Sequence, residues 1–287
     1  MDIGIGLPAL CPDPDLSIAV WARRAEERGF TTLGTIDRVV YDNYESLTAL
    51  AVAAGATSRI RLTTAILLAP LRSNHTLFAK SAATLDRLSG GRFVLGLAPG
   101  IREDDYSASG VDYQRRGKLF DALLEQAARQ WQDPGDGIGP RPATVGGPPL
   151  LFGGSTKPTL RRMTTHGVGW IGSASGVADF RALLPQVKQA WHDAGRTGAP
   201  RLMGTANFAL GPDGEQRLRT RILDYYASAD ETAGAYAEQS VEAGLTTPEQ
   251  VAREVAAYAE AGCDELILFP NGGGLEQVDL LADAAGL

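Results

Sequence analysis

Histidine and cysteine are scarce in this sequence, and long apolar runs are missing. Its 287 residues include three histidines and two cysteines. His75, His166 and His192 are scattered, and Cys11 and Cys263 stand far apart, so no spacing matches a metal-ligand set. A disulfide is unneeded in a core of this size, and both cysteines read as reduced thiols of a cytoplasmic protein. No apolar run approaches the ~20 residues that span a bilayer. Met1 runs straight into the strand-like Ile3–Leu7, without the pattern of a leader peptide. Excess positive charge is absent too. The net charge of −7 argues against nucleic acid or an anionic membrane as partner, since an acidic surface attracts neither.

What is present is a soluble, core-rich composition, 44% hydrophobic and 21% charged. Its organising stretch is Thr84–Gly100. A helix striped with Leu77, Phe78, Leu85 and Leu88 leaves through Gly90-Gly91 into an apolar strand, Arg92–Leu97, which stops at Ala98-Pro99-Gly100. With the strand Ile60–Leu68 before it, this is a βαβ unit. The same rhythm runs along the chain. Strands are expected at Ile3–Leu7, Thr32–Ile36, Leu150–Phe152, Val168–Ile171, Leu202–Leu210 and Glu265–Phe269.

Helices fall between them. Asp15 caps the first, which ends at Gly29; Glu45–Thr57 and Tyr113–Trp131 follow. Another starts near Ser155 and stops at Gly167. Pro185 is expected to kink or interrupt the helix Ala178–Ala194. Glu215–Ala243 is longer than the rhythm needs and reads as partly an insertion. Thr247-Pro-Glu-Gln250 is a capping box, and Leu275–Ala285 closes the chain. Between Asp133 and Pro149, five glycines and five prolines in seventeen residues predict a loop, with room for a small hairpin. Eight strands, each followed by helix, predict one (β/α)₈ TIM barrel with insertions, a single domain over residues 1–287. A doubly wound open sheet is disfavoured because no glycine-rich dinucleotide fingerprint follows the first strand.

Active sites of such barrels lie at the carboxyl ends of the strands. That rule nominates Leu7-Pro8, Asp37-Arg38, Ala65-Ile66, Ala98-Pro99-Gly100, Gly153–Thr156, Gly172-Ser173, Asn207 and Phe269–Asn271. Acids and bases are few among them, and no metal site is expected. A barrel so poor in titratable groups points to a cofactor for the hard chemistry. Gly153-Gly154-Ser155-Thr156 suits a phosphate, because glycines admit close approach and helix-start amides face an anion. The same residues also suit a plain tight turn with a hydroxyl cap.

Arg59-Ile-Arg-Leu-Thr-Thr-Ala-Ile-Leu-Leu-Ala-Pro-Leu-Arg72, Ala79-Lys80 and Ala83-Thr-Leu-Asp-Arg-Leu-Ser-Gly-Gly-Arg-Phe93 resemble the bacterial luciferase-like family. The likeness extends to Ala259-Glu-Ala-Gly-Cys-Asp-Glu-Leu266. These are flavin- and deazaflavin-dependent oxidoreductases on a TIM barrel. The resemblance implies that Gly153–Thr156, helped by Gly172 and Ser173, holds the flavin phosphate. It implies that Ala65-Ile66 matches a non-prolyl cis peptide beneath the ring, with Ala98 and Pro99 also against the cofactor. Asp37 matches an acid facing substrate. Arg38 replaces the usual histidine, Pro99 replaces an arginine or glutamate, and Val168 replaces an aspartate.

The function implied first is a monooxygenase that takes reduced FMN from a separate reductase and acts on a small organic substrate, as a homodimer. A second reading is hydride transfer with the deazaflavin coenzyme F-420, whose acidic tail would want Arg38, Arg72 and Arg102. A third is a flavin-binding protein without catalysis.

Overall fold

The computed structural model describes residues 1–8, 17–132, 135, 137–227 and 231–287. Its strands are β1 (Asp2–Gly6), β2 (Thr32–Thr35), β3 (Arg61–Thr64), β4 (Leu67–Leu68), β5 (Phe93–Ala98), β6 (Leu150–Gly153), β7 (Gly169–Ile171), β8 (Arg201–Phe208) and β9 (Glu265–Pro270). All pair in parallel in the order β3-β2-β1-β9-β8-β7-β6-β5-β4, and β3 also pairs with β5, which closes the sheet. β3 and β4 are two parts of one barrel strand, separated at Ala65-Ile66, whose peptide bond is cis. The result is a closed eight-stranded (β/α)₈ barrel.

The helices are α1 (Ile18–Glu27), α2 (Ser46–Ala56), α3 (His75–Leu88), α4 (Glu103–Ala108), α5 (Arg116–Gln132), α6 (Lys157–His166), α7 (Val177–Asp193), α8 (Gly214–Tyr226), α9 (Glu231–Glu242), α10 (Pro248–Glu260) and α11 (Glu276–Ala285). Side chains stop the fraying of several starts. Glu45 accepts from the Thr48 amide, Asn74 from Leu77, and Thr247 and Gln250 form the expected capping box. Gly90 and Gly91 take φ of +68° and +83° where α3 turns back to β5.

Strand alternation divides the core. Ile5, Leu33, Leu62, Leu95, Phe152, Leu202 and Leu268 point outward under helix residues such as Trp21, Leu50, Phe78, Phe120 and Phe180. Val94, Leu151, Ile171, Met203, Ile267 and Phe269 fill the interior. Gly6 is required by this filling: a Cβ there would lie 2.4 Å from the Phe269 ring. The amino end is closed by ions. Glu265, fully buried, accepts from Thr32 Oγ1, from Arg61 Nη2 at 3.2 Å and from Arg201 Nη2 at 2.5 Å. A depression of about 500 Å³ outside this seal is lined by Asp2, Arg61, Arg201 and Asp264. Its two arginines are already committed to Glu265, and to Asp2 for Arg61.

Several expectations need correction. Leu77 and Leu88 are 57% and 67% exposed; the buried face of α3 is Phe78, Ala79, Ala82, Ala83 and Leu85. α7 runs through Pro185 as one helix. Pro185 and Arg181 are both on the solvent side, so water can satisfy the Arg181 carbonyl that the proline leaves without a helical partner. The short acidic helix α4 was hidden by its length. Glu215–Ala243 is two helices, α8 and α9, and no hairpin occurs among the described residues of 133–149. Asp15 and Cys11 lie outside the described residues, and Cys263 is buried. Among the described residues no helix is long and apolar enough to cross a membrane.

Glu26, near the end of α1, ties that helix to β3. Its carboxylate accepts from the amides of Ser58 at 3.0 Å, Arg59 at 2.7 Å and Ile60 at 2.9 Å. Burial opposes its charge, but those backbone donors outweigh burial and hold the carboxyl below its ordinary value. Such a group contributes stability above the unfolded carboxylate pKa, about 4.3, and loses it as pH falls through the lower folded value. Glu26→Gln should therefore lower Tm by a few degrees at neutral pH. The gap from wild type should close in thermal melts below about pH 4. A gap unchanged in acid would remove the charge from the explanation.

Candidate active site

At the carboxyl end of the barrel the interior stops being sealed. Ile36, Ala65, Ile66, Ala98 and Pro99 are only half-buried, whereas Val94, Leu151 and Ile171 of the interior beneath them are buried. Ile36, Ala65 and Ile66 pack on the interior cluster. A Cβ on Gly153 would meet Ile66 Cδ1 at 2.4 Å and Ala98 Cβ at 3.8 Å. Four expected site positions, Ala65, Ile66, Ala98 and Gly153, are thus brought together as one apolar shelf. Pro99 stands beside it, and its carbonyl accepts from the hydroxyl of Tyr106. Burial pushes the Tyr106 phenol well above its ordinary value, so it stays a donor.

Next to the shelf, β6 turns into α6 and β7 into α7. Gly154 has φ of +99° and its carbonyl accepts from Trp170 Nε1 at 2.9 Å, which places Trp170 in the barrel wall. Thr156 is the helix cap: its Oγ1 accepts from the Thr159 amide and lies 3.1 Å from Thr159 Oγ1. Ser155 is not the cap, and its carbonyl is held by Gln186 Nε2 at 2.7 Å. Gly154, Thr156 and Lys157 face solvent, so the α6 start is open to an anion. The β6–β7 register sets Gly153 beside Ile171, which brings Gly172 and Ser173 to the same rim. Gly172 is buried, its carbonyl accepting from Thr205 Oγ1 at 2.9 Å. Ser173 is exposed, with Ser175 Oγ at 3.2 Å and Asp179 Oδ2 at 3.4 Å.

Asp37 and Arg38 sit at the expected place, at the end of β2, and both are bonded within the protein. Asp37 is 5% exposed, and its carboxylate accepts from Ser46 Oγ at 2.9 Å, Leu68 N at 2.8 Å and Arg72 Nη2 at 2.9 Å. It joins the end of β2 to α2 and to β4, directly after the cis peptide. Arg38 is buried with Asp105. Arg38 Nε donates to Asp105 Oδ2 at 2.7 Å, while Asp105 Oδ1 accepts from the amides of Val39 and Val40. Arg38 also donates to the carbonyls of Val40 and Tyr225. Both residues hold the mouth in shape: Asp37 accepts three bonds from the protein and the Arg38 guanidinium donates to Asp105, Val40 and Tyr225.

Sequence reasoning assigned no role to the residues that roof this space. Tyr41 and Tyr225 pack on the interior cluster, edge to face with centroids 5.2 Å apart, and the Arg38 guanidinium lies 4.9 Å over the Tyr225 ring. Burial pushes the Tyr225 phenol above its ordinary value. The Tyr225 carbonyl at the end of α8 accepts from both Arg38 and Arg102. The available signal was the acid run Glu103-Asp104-Asp105, placed after the fourth barrel strand opposite an arginine at the end of the second. Asn207 and Asn271 complete the rim at the ends of β8 and β9, amide to amide at 3.1 Å.

These geometries make stability predictions. Asp37→Asn turns an acceptor into a donor facing the Leu68 amide or Arg72, and should cost about 1–3 kcal/mol. Arg38→Met strands the buried Asp105 carboxylate and should cost about 3–5 kcal/mol. Urea unfolding measures both. An Asp37→Asn protein with the wild-type midpoint but no turnover would return Asp37 to the chemistry.

Residues 17–247 match the family model described as luciferase-like monooxygenase. An uncharacterised protein of Mycobacterium tuberculosis is 28% identical over 232 residues, 69% of this chain and 82% of its own length. A 5,10-methylenetetrahydromethanopterin reductase of Methanolobus tindarius is 34% identical over 110 residues, 38% of this chain and 32% of its length. Among solved structures, a monooxygenase from Streptomyces bottropensis superposes with TM-score 0.80 at 22% identity, covering 100% of this chain and 97% of its own. A coenzyme F-420-dependent secondary alcohol dehydrogenase, in complex with a cofactor–acetone adduct, gives 0.79 at 16%, covering 99% and 98%. The FMN-bound oxygenating constituent of 3,6-diketocamphane monooxygenase from Pseudomonas putida gives 0.71 at 13%, covering 98% and 96%. At these identities the structures speak to the fold, and the family match covers most of the chain. The chain belongs to the luciferase-like monooxygenase family.

Proposed function

We propose that this protein is a luciferase-like oxidoreductase that holds reduced FMN and monooxygenates a small organic substrate. The observation that carries the reading is the juxtaposition at one rim of an apolar shelf and an open helix start. Ala65, Ile66, Ala98 and Gly153 offer a flat surface free of charge, which suits an aromatic ring system. The α6 start, with Gly154, Ser155 and Thr156, offers donors and a positive dipole end, which suits a phosphate dianion. Gly172 and Ser173 would support the phosphate from the neighbouring strand.

Reduced FMN, when bound, supplies the electrons that activate dioxygen. The chain's own residues orient and exclude. Ile36, Phe269, Tyr41 and Tyr225 keep the space over the shelf apolar and poor in water. Asp37 and Arg38 act as positioning residues, holding the segment that follows the shelf. Ser155, rather than the capping Thr156, is the hydroxyl available to a ligand. The reading includes a separate reductase, since no nicotinamide site is evident in the sequence. It also includes a homodimer, for which exposed Val52 on α2 and Leu77 and Leu88 on α3 are the apolar residues to test.

The second reading, hydride transfer with coenzyme F-420, is favoured by the fold shared with the F-420-dependent secondary alcohol dehydrogenase and weakened by the arginines. Arg38, Arg72 and Arg102, which an acidic cofactor tail would want, are each paired with a carboxylate of this chain. Titration with reduced FMN and with reduced coenzyme F-420, then admission of air with a substrate panel, separates the readings. Tight F-420 binding with weak FMN binding selects the second, and flavin binding without turnover leaves a non-catalytic binder.

Hydrogen bonds to a charged group contribute roughly 1.5–3 kcal/mol each. FMN should therefore bind at least about tenfold more tightly than riboflavin, which lacks the phosphate. Ser155→Asp puts a carboxylate at the phosphate position without touching the Thr156 cap. It should erase most of that advantage while leaving riboflavin affinity nearly unchanged. Equal affinities of the wild-type protein for FMN and riboflavin would end the phosphate assignment.

A further inference from the structure

The register of β8 and β9 builds a polar group into the otherwise apolar mouth. Met203 lies in the interior cluster, so Thr205 and Asn207, two and four residues on, share its inward face. On β9, Ile267 and Phe269 point inward and Asn271 follows on the same side. Asn207 pairs in register with Phe269, and its carbonyl accepts from the Leu245 amide at 2.9 Å, so its backbone is held from both sides.

The two amides fix one another. Asn271, 2% exposed, has Nδ2 at 3.1 Å from the Phe269 carbonyl oxygen and at 3.1 Å from Asn207 Oδ1. A backbone carbonyl only accepts, so the atom facing it must be nitrogen, and the Asn271 amide cannot be turned over. Its second hydrogen then needs an acceptor on Asn207. That requirement sets the Asn207 oxygen toward Asn271 and directs the Asn207 NH₂ elsewhere. Asn207 is half-buried, and among the described residues no acceptor takes this NH₂. An oriented, uncharged donor therefore stands at the rim on a rigid strand, next to Phe269.

We propose that Asn207 Nδ2 is the binding donor for a neutral carbonyl oxygen at the barrel mouth, with Asn271 as the residue that fixes its orientation. The inference rests on the flavin reading above. Asparagine brings no charge, so an apolar surround favours a ketone-like oxygen over a carboxylate, whose desolvation it could not offset. That oxygen belongs either to the pyrimidine ring of the cofactor or to a ketone or aldehyde substrate, which present the same acceptor.

The test uses Asn207→Asp, which keeps the shape and the bond from Asn271 but replaces the donor with an acceptor. Thermal melts verify its folding, and Asn271→Leu serves as the variant that frees the Asn207 amide to turn. Wild-type protein is loaded with whichever of FMN or coenzyme F-420 it binds, carrying ¹³C at the pyrimidine carbonyls. Cyclohexanone, ¹³C-labelled at its carbonyl, is then added as the neutral ketone probe. Infrared difference spectra of wild type should show one labelled carbonyl lowered in frequency by hydrogen bonding. Asn207→Asp should return that band upward and weaken the corresponding ligand roughly tenfold. Asn271→Leu should broaden the band.

Movement of the cofactor band assigns the site to the ring, and movement of the cyclohexanone band assigns it to substrate. If neither band moves in the folded Asn207→Asp protein, the proposal is overturned. If the wild-type protein binds neither cofactor, the flavin reading falls first and takes this inference with it.

Discussion

Closure of a parallel barrel imposes the constraint on which everything else here depends. Each strand must send alternate side chains into a space that has no water and a fixed width. The chain meets it in layers. Ions close the amino end around Glu265, aliphatic residues and Phe269 fill the middle, and glycines at positions 6 and 153 make room for Phe269 and Ile66. Only the carboxyl end is left partly open. A single accessible end means that any ligand of the interior meets residues at the last inward position of each strand. Those residues are almost all apolar or amides.

The charged groups near this end are spent on shape. Removing a carboxylate from water costs several kcal/mol unless donors replace the lost hydration. Asp37 is buried because Ser46, Leu68 and Arg72 supply those donors, and Asp105 because Arg38, Val39 and Val40 do. Each carboxylate thereby fastens loops from different strands to one another. These bonds tie the mouth loops to the barrel strands beneath them.

Much of the architecture was legible because it follows from local periodicity. The βα rhythm, the Thr247 capping box and the glycine exit after α3 all depend on residues close in sequence, and the element order was read correctly. What was missed depends on contacts between distant segments. Leu77 and Leu88 belong to a helical stripe on paper, yet α3 turns its Phe78, Ala79, Ala82 and Leu85 side to the core and leaves them exposed. Pro185 survives inside α7 because it faces solvent, and sequence does not reveal which side of a helix that is. The strand-end rule found the positions of Asp37 and Arg38, but their work is set by Arg72 and Asp105, residues 35 and 67 positions away. Likewise Ser155 and Thr156 were interchangeable as caps until the turn itself selected Thr156.

Taken together, these facts limit the chemistry that the side chains can perform alone. A hydrolase or aldolase needs a base or nucleophile that can change protonation at the reacting atom. The inward rim of this barrel offers an apolar shelf, a helix start open to an anion and an oriented amide. Such a set binds, orients and keeps water out, and it transfers neither protons nor electrons. Such a rim suits a ligand that brings its own reacting group. Above this rim lies the roof. Tyr41 and Tyr225 are joined to the mouth through Arg38 and through a carbonyl shared with Arg102. A substitution in that roof would change the space over the shelf, while the shelf and the α6 start beneath it would remain as they are.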